Sequence, residues 1–118
     1  KLALILGSPG GSSIISSVLQ VILNVFEFDM NIKDAVHFPR FHHQWMPDYI
    51  KLEPNAFNDE VIKELTLKGY HINDEKDEFI GRVNAIKINS RGDILPAADP
   101  RGDNAEASMW TQATYINQ

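Results

Sequence analysis

The sequence predicts a small domain of the α+β class, in which strands and helices mix in one compact body. Three observations support this class. Residues 2–6 form a continuous apolar run with the length of a buried strand. Residues 14–26 repeat apolar side chains every three to four positions, as an amphipathic helix does. Residues 83–98 alternate apolar and polar side chains on both sides of a glycine-containing turn, which is typical of a β-hairpin.

The first strand and the first helix are joined by a turn. Residues 2–6 end at Gly7, which favours a strand covered on both faces. Residues 7–12 are too rich in glycine, serine and proline for regular structure, and either Ser12 or Ser13 can cap the helix that follows. The helix has two adjoining apolar rows, so most of it should be buried, against more protein than 118 residues easily supply. The remaining face holds small polar side chains: Ser16, Ser17, Gln20 and Asn24.

The rest of the chain predicts two shorter helices and four strands. Asn31 can cap a helix over residues 32–37, and Asn58 can cap one over residues 59–68 with Val61, Ile62, Leu65 and Leu67 facing inward. The strands cover residues 49–53, 70–72, 83–88 and 94–98. Irregular segments are expected at residues 38–47, at 73–78 and in a loop-like tail over 101–118. All 118 residues are expected to form a single domain.

Composition and charge exclude several classes of function. The chain has 16 acidic and 11 basic residues, a net charge of −5, and no basic cluster, so we expect it to bind neither nucleic acid nor an anionic membrane. It has no cysteine, which excludes a disulfide framework, cysteine-bound zinc and thiol catalysis. The longest mainly apolar stretch, residues 14–28, contains too many polar residues for a membrane span. Because an apolar run follows Lys1 at once, we expect the chain to be a piece of a larger protein.

The turn over residues 7–12 is the first candidate site. Glycine lets backbone N–H groups approach a ligand closely, and a helix N-terminus adds partial positive charge. Such a turn can hold a phosphate, a carboxylate or a developing oxyanion. It is not a phosphate P-loop, since no Lys-Ser/Thr pair follows, and its glycine spacing does not fit the dinucleotide fingerprint. The same residues can also form a simple strand-to-helix connection, and the pattern leaves both interpretations open.

Histidines and charged motifs supply the other candidates. His37, His42 and His43 lie near one another in sequence, but neighbouring histidines of an extended chain point to opposite sides. An aromatic loop in which Arg40 pairs with a carboxylate is therefore favoured over a metal site. The acidic run over residues 73–78 lacks the calcium-loop pattern and is expected to be solvated.

Two further charged motifs are short. The Arg-Gly-Asp tripeptides at residues 91–93 and 101–103 are weak signals, and the first lies in the hairpin turn, where glycine and aspartate are expected. Asp99, Pro100 and Arg101 form a rigid charged corner after a strand. Sequence alone leaves open whether this corner is a structural ion pair or the wall of a site.

Five strings in order resemble the C-terminal part of γ-glutamyltranspeptidase. They are Gly-Ser-Pro-Gly-Gly-Ser at 7–12, Val-Leu-Gln-Val-Ile-Leu-Asn at 18–24, Met-Asn-Ile at 30–32, Pro-Arg-Phe-His-His-Gln-Trp at 39–45 and Asp-Pro-Arg at 99–101. Their combined order and spacing are far more specific than any one motif. The resemblance implies a partial αββα sandwich of the N-terminal nucleophile hydrolase type, within the small subunit of that enzyme.

The resemblance also implies an activity. A γ-glutamyltranspeptidase precursor cleaves itself, and the new N-terminal Thr of the small subunit attacks the γ-glutamyl amide of glutathione or a related compound. The glutamyl group then passes to water or to an amino acid. Two adjacent glycines of the family form the oxyanion hole, and they map onto Gly10 and Gly11. The resemblance implies no cofactor and no metal, and it leaves the substrate-binding residues unassigned.

Several parts of the family's active site are expected outside this chain. The resemblance places the nucleophilic Thr and a substrate-gripping Ser-Ser pair before the glycine turn, and the Arg that binds the α-carboxylate in the large subunit. The serine pairs at residues 12–13 and 16–17 follow the turn and are not that pair. Near the end, Met109 and Trp110 stand where the family tends to have Gly-Tyr. The chain alone should therefore be inactive.

The expected partners are the rest of the small subunit, the large subunit and a small γ-glutamyl substrate. If isolated, the chain should expose apolar surface and self-associate. If it behaves like the bacterial family, its compartment is periplasmic or extracellular. The alternative is a freestanding, non-catalytic domain that binds a partner or a small anion at the glycine turn.

Overall fold

The computed structural model describes residues 1–73 and 79–102, and this part of the chain contains three helices and six strands. The strands are β1 (Leu4–Gly7), β2 (Phe41–His42), β3 (Ile50–Leu52), β4 (Ile72–Asn73), β5 (Asn84–Ile88) and β6 (Ile94–Ala97). The helices are α1 (Ser13–Phe26), α2 (Ile32–His37) and α3 (Asp59–Leu67). Mixed helix and sheet confirm the α+β class. Two predicted segments lie outside the described residues: the acidic run after Asn73 and the tail after Gly102. The last residue of the second Arg-Gly-Asp tripeptide, residue 103, belongs to that tail.

The first sheet has the strand order β1-β5-β6, and all its pairs are antiparallel. Strand β1 lies beside β5 with Ile5 opposite Ile86, so strands about 80 residues apart are neighbours. The predicted hairpin is confirmed, since β5 and β6 pair directly and the Asn89 N–H donates to the Asp93 carbonyl across the turn at 3.2 Å. Val83 and Ala85 are buried, as the alternation predicts.

One hydrophobic core lies between this sheet and the first two helices. The helices contribute short aliphatic side chains, and the sheet contributes Val83 and its small neighbours. The buried members of the core are Val21, Val25, Ile32, Ala35, Val36, Val83, Ala85 and Ala97. This packing holds the start of α1 against the end of β1, which positions the glycine turn between them.

Helix α1 buries one of its two predicted apolar rows, with Val21 and Val25 in the core, and exposes much of the other. Ile15, Leu19 and Phe26 are exposed by 77, 51 and 54%, whereas Ser17 and Asn24 are buried. The prediction that the apolar rows are buried and the small polar residues fill the exposed remainder is therefore partly wrong. We call Ile15, Leu19 and Phe26 the outer face of α1.

Two buried polar side chains of α1 satisfy their hydrogen-bonding groups inside the protein, which explains this burial. The Ser17 hydroxyl lies within hydrogen-bond distance of the Ser13 carbonyl at 2.8 Å and the Ile80 carbonyl at 3.3 Å. The Asn24 amide donates to the Ala35 carbonyl at 3.1 Å. A buried polar group with a partner avoids most of the cost of leaving water.

The second sheet has the order β2-β3-β4 and forms the other side of the glycine turn. Strands β2 and β3 are antiparallel, and β3 and β4 are parallel with α3 as their crossover. Strand β2 is not predicted from the sequence, in which the whole of residues 38–47 has the composition of irregular structure. A two-residue strand is too short to show a period and is created by its partner.

Both predicted asparagine caps are confirmed. The Asn31 side chain accepts from the Asp34 N–H, and the Asn58 side chain accepts from the Val61 N–H, each at 2.9 Å. The inward face predicted for α3 is only partly confirmed, because Ile62 and Leu65 are half-buried whereas Val61 and Leu67 are exposed, Leu67 by 78%. Within the two ranges that the structure describes, no helix combines the length and hydropathy needed to cross a bilayer.

Candidate functional site

The glycine turn lies between β1 and α1, and its backbone requires at least one glycine. Gly10 has φ +132° and Gly11 has φ +57°, both on the positive side that side chains disfavour. A β-carbon on Gly10 would also lie 2.7 Å from the Ser13 hydroxyl oxygen, whereas one on Gly11 would meet open space. The more demanding of the two positions is therefore Gly10.

The N–H groups of Gly10 and Gly11 are available as hydrogen-bond donors. Their carbonyls accept from the first turn of α1, at 3.1 Å from the Ser13 N–H and 3.2 Å from the Ile14 N–H. Both glycines are exposed, and their N–H groups donate to no other residue within ranges 1–73 and 79–102. Two successive free donors at the positive end of a helix suit an anionic oxygen.

The serines after the turn do not cap α1 through their side chains, although the sequence predicts a cap at Ser12 or Ser13. Ser12 occupies the N-cap position, but its backbone is helical (φ −64°, ψ −23°) rather than extended. Its hydroxyl donates instead to the Gln44 amide oxygen at 2.6 Å. The Ser13 hydroxyl donates to the Gly10 carbonyl at 2.8 Å and so belongs to the turn itself.

A polar cleft of about 480 Å³ opens beside the turn. Gly10 and Ser12 line one wall, and His42, Gln44 and Lys51 line another. His42 lies opposite Lys51 in the β2–β3 pair, so the second sheet carries both side chains to the cleft. Neither Gln44 nor Lys51 is predicted as a site residue, because nothing local in the sequence links them to a turn 30 or more residues earlier.

Gly81 forms the back of the turn. Its φ is +70°, and a β-carbon there would lie 2.3 Å from the Ser17 hydroxyl oxygen and 2.8 Å from that of Ser8. The neighbouring Arg82 N–H donates to the Ser8 hydroxyl at 2.8 Å. Only a residue without a side chain lets this segment lie so close to the turn. Gly81 is not predicted as a site residue, since its only sequence signal is that of an isolated glycine just before a predicted strand.

The three histidines have different partners. The His42 ring is buried and bonds to the Ser16 hydroxyl at 2.6 Å through Nδ1 and to the Gln44 amide oxygen at 2.9 Å through Nε2. His43 pairs with Asp48 at 3.2 Å, and a ring nitrogen of His37 lies 3.3 Å from the Ala98 carbonyl. Among the residues that the structure describes, no three histidine or carboxylate side chains are grouped so that they could hold a metal.

Arg40 pairs with a carboxylate, as the sequence predicts. Its guanidinium lies 2.8 Å from the Asp99 carboxylate, and both side chains are almost fully buried. Arg101 bonds to Asp99 at 3.0 Å and to Glu53 at close range. We call Arg40, Glu53, Asp99 and Arg101 the buried charged cluster. The corner that includes Asp99 and Arg101 therefore forms a structural ion pair.

Charges and hydrogen bonds in the cluster oppose the cost of burial. Burial raises the pKa of the Asp99 carboxyl, but the Arg101 N–H and the nearby Arg40 charge outweigh burial and hold that pKa below its ordinary value. Burial lowers the pKa of the Arg101 guanidinium, and its bonds to Glu53 and Asp99 outweigh burial and raise it. Burial lowers the pKa of the Arg40 guanidinium, and this effect outweighs the opposite effect of the Asp99 and Glu53 carboxylates.

The buried charged cluster also holds the backbone behind the glycine turn. Glu53 accepts from the Arg40 and Ile80 N–H groups at 2.8 Å each, and the Arg40 guanidinium donates to the Ile80 carbonyl at 2.9 Å. Asp99 accepts from the Val83 N–H at 2.5 Å. These bonds bracket residues 80–83, which include Gly81, so the cluster supports the back of the turn.

Comparison with known proteins decides the family. The family model for gamma-glutamyltranspeptidase matches residues 1–109 of the 118, which includes the glycine turn, the cleft and the whole buried charged cluster. This chain belongs to the γ-glutamyltranspeptidase family.

Individual relatives agree with this assignment. The chain is 39% identical over 101 residues to the glutathione hydrolase proenzyme of Escherichia coli (strain K12). The aligned region covers 86% of this chain and 17% of that protein. It is 36% identical over 104 residues to the corresponding proenzyme of Pseudomonas aeruginosa, covering 86% of this chain and 18% of that protein. The chain thus spans less than a fifth of the length of these relatives.

Solved structures confirm the fold. A Helicobacter pylori γ-glutamyltranspeptidase mutant superposes with a TM-score of 0.79 at 44% identity, over 86% of this chain and 55% of that one. The Pseudomonas nitroreducens enzyme complexed with L-DON superposes with a TM-score of 0.76 at 38% identity, over 86% of this chain and 53% of that one. These structures are N-terminal nucleophile hydrolases, which confirms the predicted fold type and the resemblance on which it was based.

Proposed function

We propose that this chain is part of the small subunit of a γ-glutamyltranspeptidase that transfers or hydrolyses the γ-glutamyl group of glutathione-like compounds. In this proposal Gly10 and Gly11 form the oxyanion hole, and an N-terminal Thr from another part of the precursor is the nucleophile. The observation that carries the proposal is a pair of exposed N–H groups at the N-terminus of α1, in a member of this family, that have no partner in the part of the chain that the structure describes.

The proposed reaction needs donors where this turn supplies them. The Thr hydroxyl oxygen bonds to the γ-glutamyl carbonyl carbon and gives up its proton, and the carbonyl oxygen becomes negative. The Gly10 and Gly11 N–H groups donate to that oxygen. The carbon–nitrogen bond then breaks and the amine leaves with the proton, which produces a glutamyl ester. Water or the amine of an amino acid attacks this ester and restores the Thr.

The two donors lower the barrier because they bind the charged intermediate more strongly than the neutral amide. Removal of one oxyanion-hole donor typically reduces kcat by about 10²–10³. Both N–H groups belong to the backbone and are oriented by a turn with positive φ values, so they need little reorganisation during the reaction.

The remainder of the small subunit and the large subunit are the proposed partners. The outer face of α1 gives them an apolar surface to cover, since Ile15, Leu19 and Phe26 are each more than half exposed. We expect the isolated chain to be inactive and to self-associate through such surface. A clean monomer by light scattering would contradict the second expectation.

The activity test uses γ-glutamyl-p-nitroanilide with the full-length protein, with this chain alone, and with this chain plus the missing segments in trans. Turnover should require the missing segments. Gly10→Ala tests the turn, because alanine resists φ +132° and its β-carbon would meet Ser13. Gly92→Ala is the matched control, since Gly92 has φ +94° in the hairpin turn with open space around it.

The two glycine variants separate catalysis from backbone strain. Both should lose stability of the order of 1–3 kcal/mol, but only Gly10→Ala should lower kcat. Equal kcat values for the two variants would contradict an oxyanion hole at this turn. A folded, fully assembled protein without turnover would contradict the γ-glutamyl activity. The freestanding anion-binding domain is not favoured, because the family match covers residues 1–109.

A further inference from the structure

We propose that Gln44 is a positioning residue that holds the glycine turn in the geometry of an oxyanion hole, acting through the Ser12 side chain. This inference rests on the proposed function of the turn. Gln44 lies in the loop after β2, and its amide oxygen reaches across the cleft to the first residue after Gly11.

Four side chains form a closed bridge between the start of α1 and β2. Ser12 donates to the Gln44 amide oxygen at 2.6 Å, and that oxygen lies 2.9 Å from His42 Nε2. His42 Nδ1 lies 2.6 Å from the Ser16 hydroxyl. Ser12 and Ser16 are four residues apart and face the same side of the helix. The bridge is therefore attached to the start of α1 at two points, one helical turn apart.

The orientation of the Gln44 amide follows from its other contact. Its nitrogen donates to the Met46 carbonyl at 2.8 Å, so its oxygen faces Ser12 and His42. Two groups therefore have to donate to that oxygen, the Ser12 hydroxyl and His42 Nε2–H. In a neutral imidazole, Nδ1 then accepts from the Ser16 hydroxyl. Every bond of the bridge has a donor and an acceptor in this arrangement.

The first turn of α1 holds the two glycine carbonyls, but the peptide planes that carry the two N–H groups need a further support. Two adjacent glycines have more conformational freedom than any other pair of residues. Ser12 follows Gly11 directly, so a fixed Ser12 side chain limits rotation of the peptide planes that carry the two N–H groups. Ser12 makes no cap bond, so its side chain is free to bond to Gln44, which lies on another segment of the fold.

A general tie between α1 and β2 does not explain this contact, because a second glutamine already supplies one. The Gln20 amide donates to the Ser16 carbonyl at 2.9 Å and the Phe41 carbonyl at 2.8 Å. Its oxygen accepts from the Phe41 N–H at 3.1 Å. What Gln44 adds is the link to Ser12, beside the glycine turn.

The test compares Gln44→Leu with Gln20→Leu in the full-length protein, with kcat counted per processed molecule. We expect Gln44→Leu to lower kcat by about 10- to 100-fold, as displaced catalytic groups do, with KM nearly unchanged. Gln20→Leu should lower the melting temperature but leave kcat close to wild type. Ser12→Ala should lower kcat as Gln44→Leu does, and the double variant should lose no more than either single variant.

Each outcome decides for or against the proposal. It is overturned if Gln44→Leu keeps the wild-type kcat, if Gln20→Leu loses as much, or if the effects of Ser12→Ala and Gln44→Leu multiply. Ser12→Ala removes one hydroxyl from an exposed residue, so it tests the link even if Gln44→Leu does not fold. A wild-type protein without γ-glutamyl turnover refutes the proposed function and this inference together, whereas an active wild type with an unaffected Gln44→Leu refutes this inference alone.

Discussion

Replacement of Asp99 by asparagine should destabilise the protein strongly, and the geometry explains why. One carboxylate oxygen accepts from the Val83 N–H and lies 2.8 Å from the Arg40 guanidinium. The other accepts from the Arg101 N–H at 2.9 Å and its guanidinium at 3.0 Å. Whichever way the asparagine amide lies, its NH₂ group faces donors, and it carries no charge to offset the two arginines.

The expected cost is about 3 kcal/mol, at the lower end of the range for breaking a buried ion pair. The lower end applies because Glu53 still pairs with Arg101, so only part of the arginine charge is left uncompensated. Asp99 and Arg40 are each about 1% exposed, so solvent screening does not reduce this cost much. A loss of this size is a large share of the typical 5–15 kcal/mol stability of a domain.

The effect should depend on pH in a defined direction. Although burial raises the pKa of Asp99, the Arg101 N–H and the Arg40 charge hold that pKa in the folded state below the ordinary value of 3.8. Ionised Asp99 therefore stabilises the folded state above the unfolded pKa, and this stabilisation is lost as the pH falls through the folded pKa. The difference in unfolding free energy between wild type and Asp99→Asn should be constant near neutral pH and shrink below about pH 4.

Urea unfolding of the full-length protein, followed at several pH values, measures this difference. Asp48→Asn is the matched control, because Asp48 pairs with His43 on the surface with its side chain 73% exposed, and it should change stability by less than about 1 kcal/mol. The reasoning would be refuted if Asp99→Asn cost no more than Asp48→Asn, or if its cost stayed the same through acid pH.

Three further predictions concern the turn, a helix and the outer face of α1. Gly81→Ala should lower the free energy of unfolding by about 2 kcal/mol or more, since the new β-carbon would lie 2.3 Å from the Ser17 hydroxyl oxygen. The control Gly69→Ala (φ +91°, open space) should cost about half as much, and thermal unfolding measures both. Asn58→Ala removes the α3 cap and should cost about 1 kcal/mol by urea unfolding; an unchanged midpoint would contradict the cap. Ile15→Ser should weaken self-association of the isolated chain in light scattering without loss of helix in circular dichroism.

Local signals predicted much of the secondary structure. Asn31 and Asn58 begin their helices where the sequence places them, because a cap depends only on the next three residues. The hairpin around residues 89–93 forms for the same reason, since the alternation and the turn are adjacent in sequence. The glycine turn was also recognised as a candidate site, although the pattern alone did not separate a binding turn from a connection.

The parts that the sequence did not predict depend on partners far along the chain. Ser12 meets Gln44 32 positions away, and Arg101 meets Glu53 48 positions away. Ser17 is buried rather than exposed because the Ile80 carbonyl lies within its reach, a condition that no helical period contains. Ile15 is an apolar residue that is exposed rather than buried. The helical repeat identifies the apolar face to which it belongs, but it does not show which element covers that face.

The α+β class, most of the helices and strands, the family resemblance and the glycine turn before α1 can all be predicted from the order of the residues. These properties depend on neighbours in the chain, through backbone preferences, caps and apolar periods. The three-dimensional packing was needed to show that Gln44 and Gly81 flank that turn, and that Asp99 and Arg101 form a structural ion pair. Such contacts form when separate elements pack together, because burial then makes each polar group find a partner wherever the fold brings one.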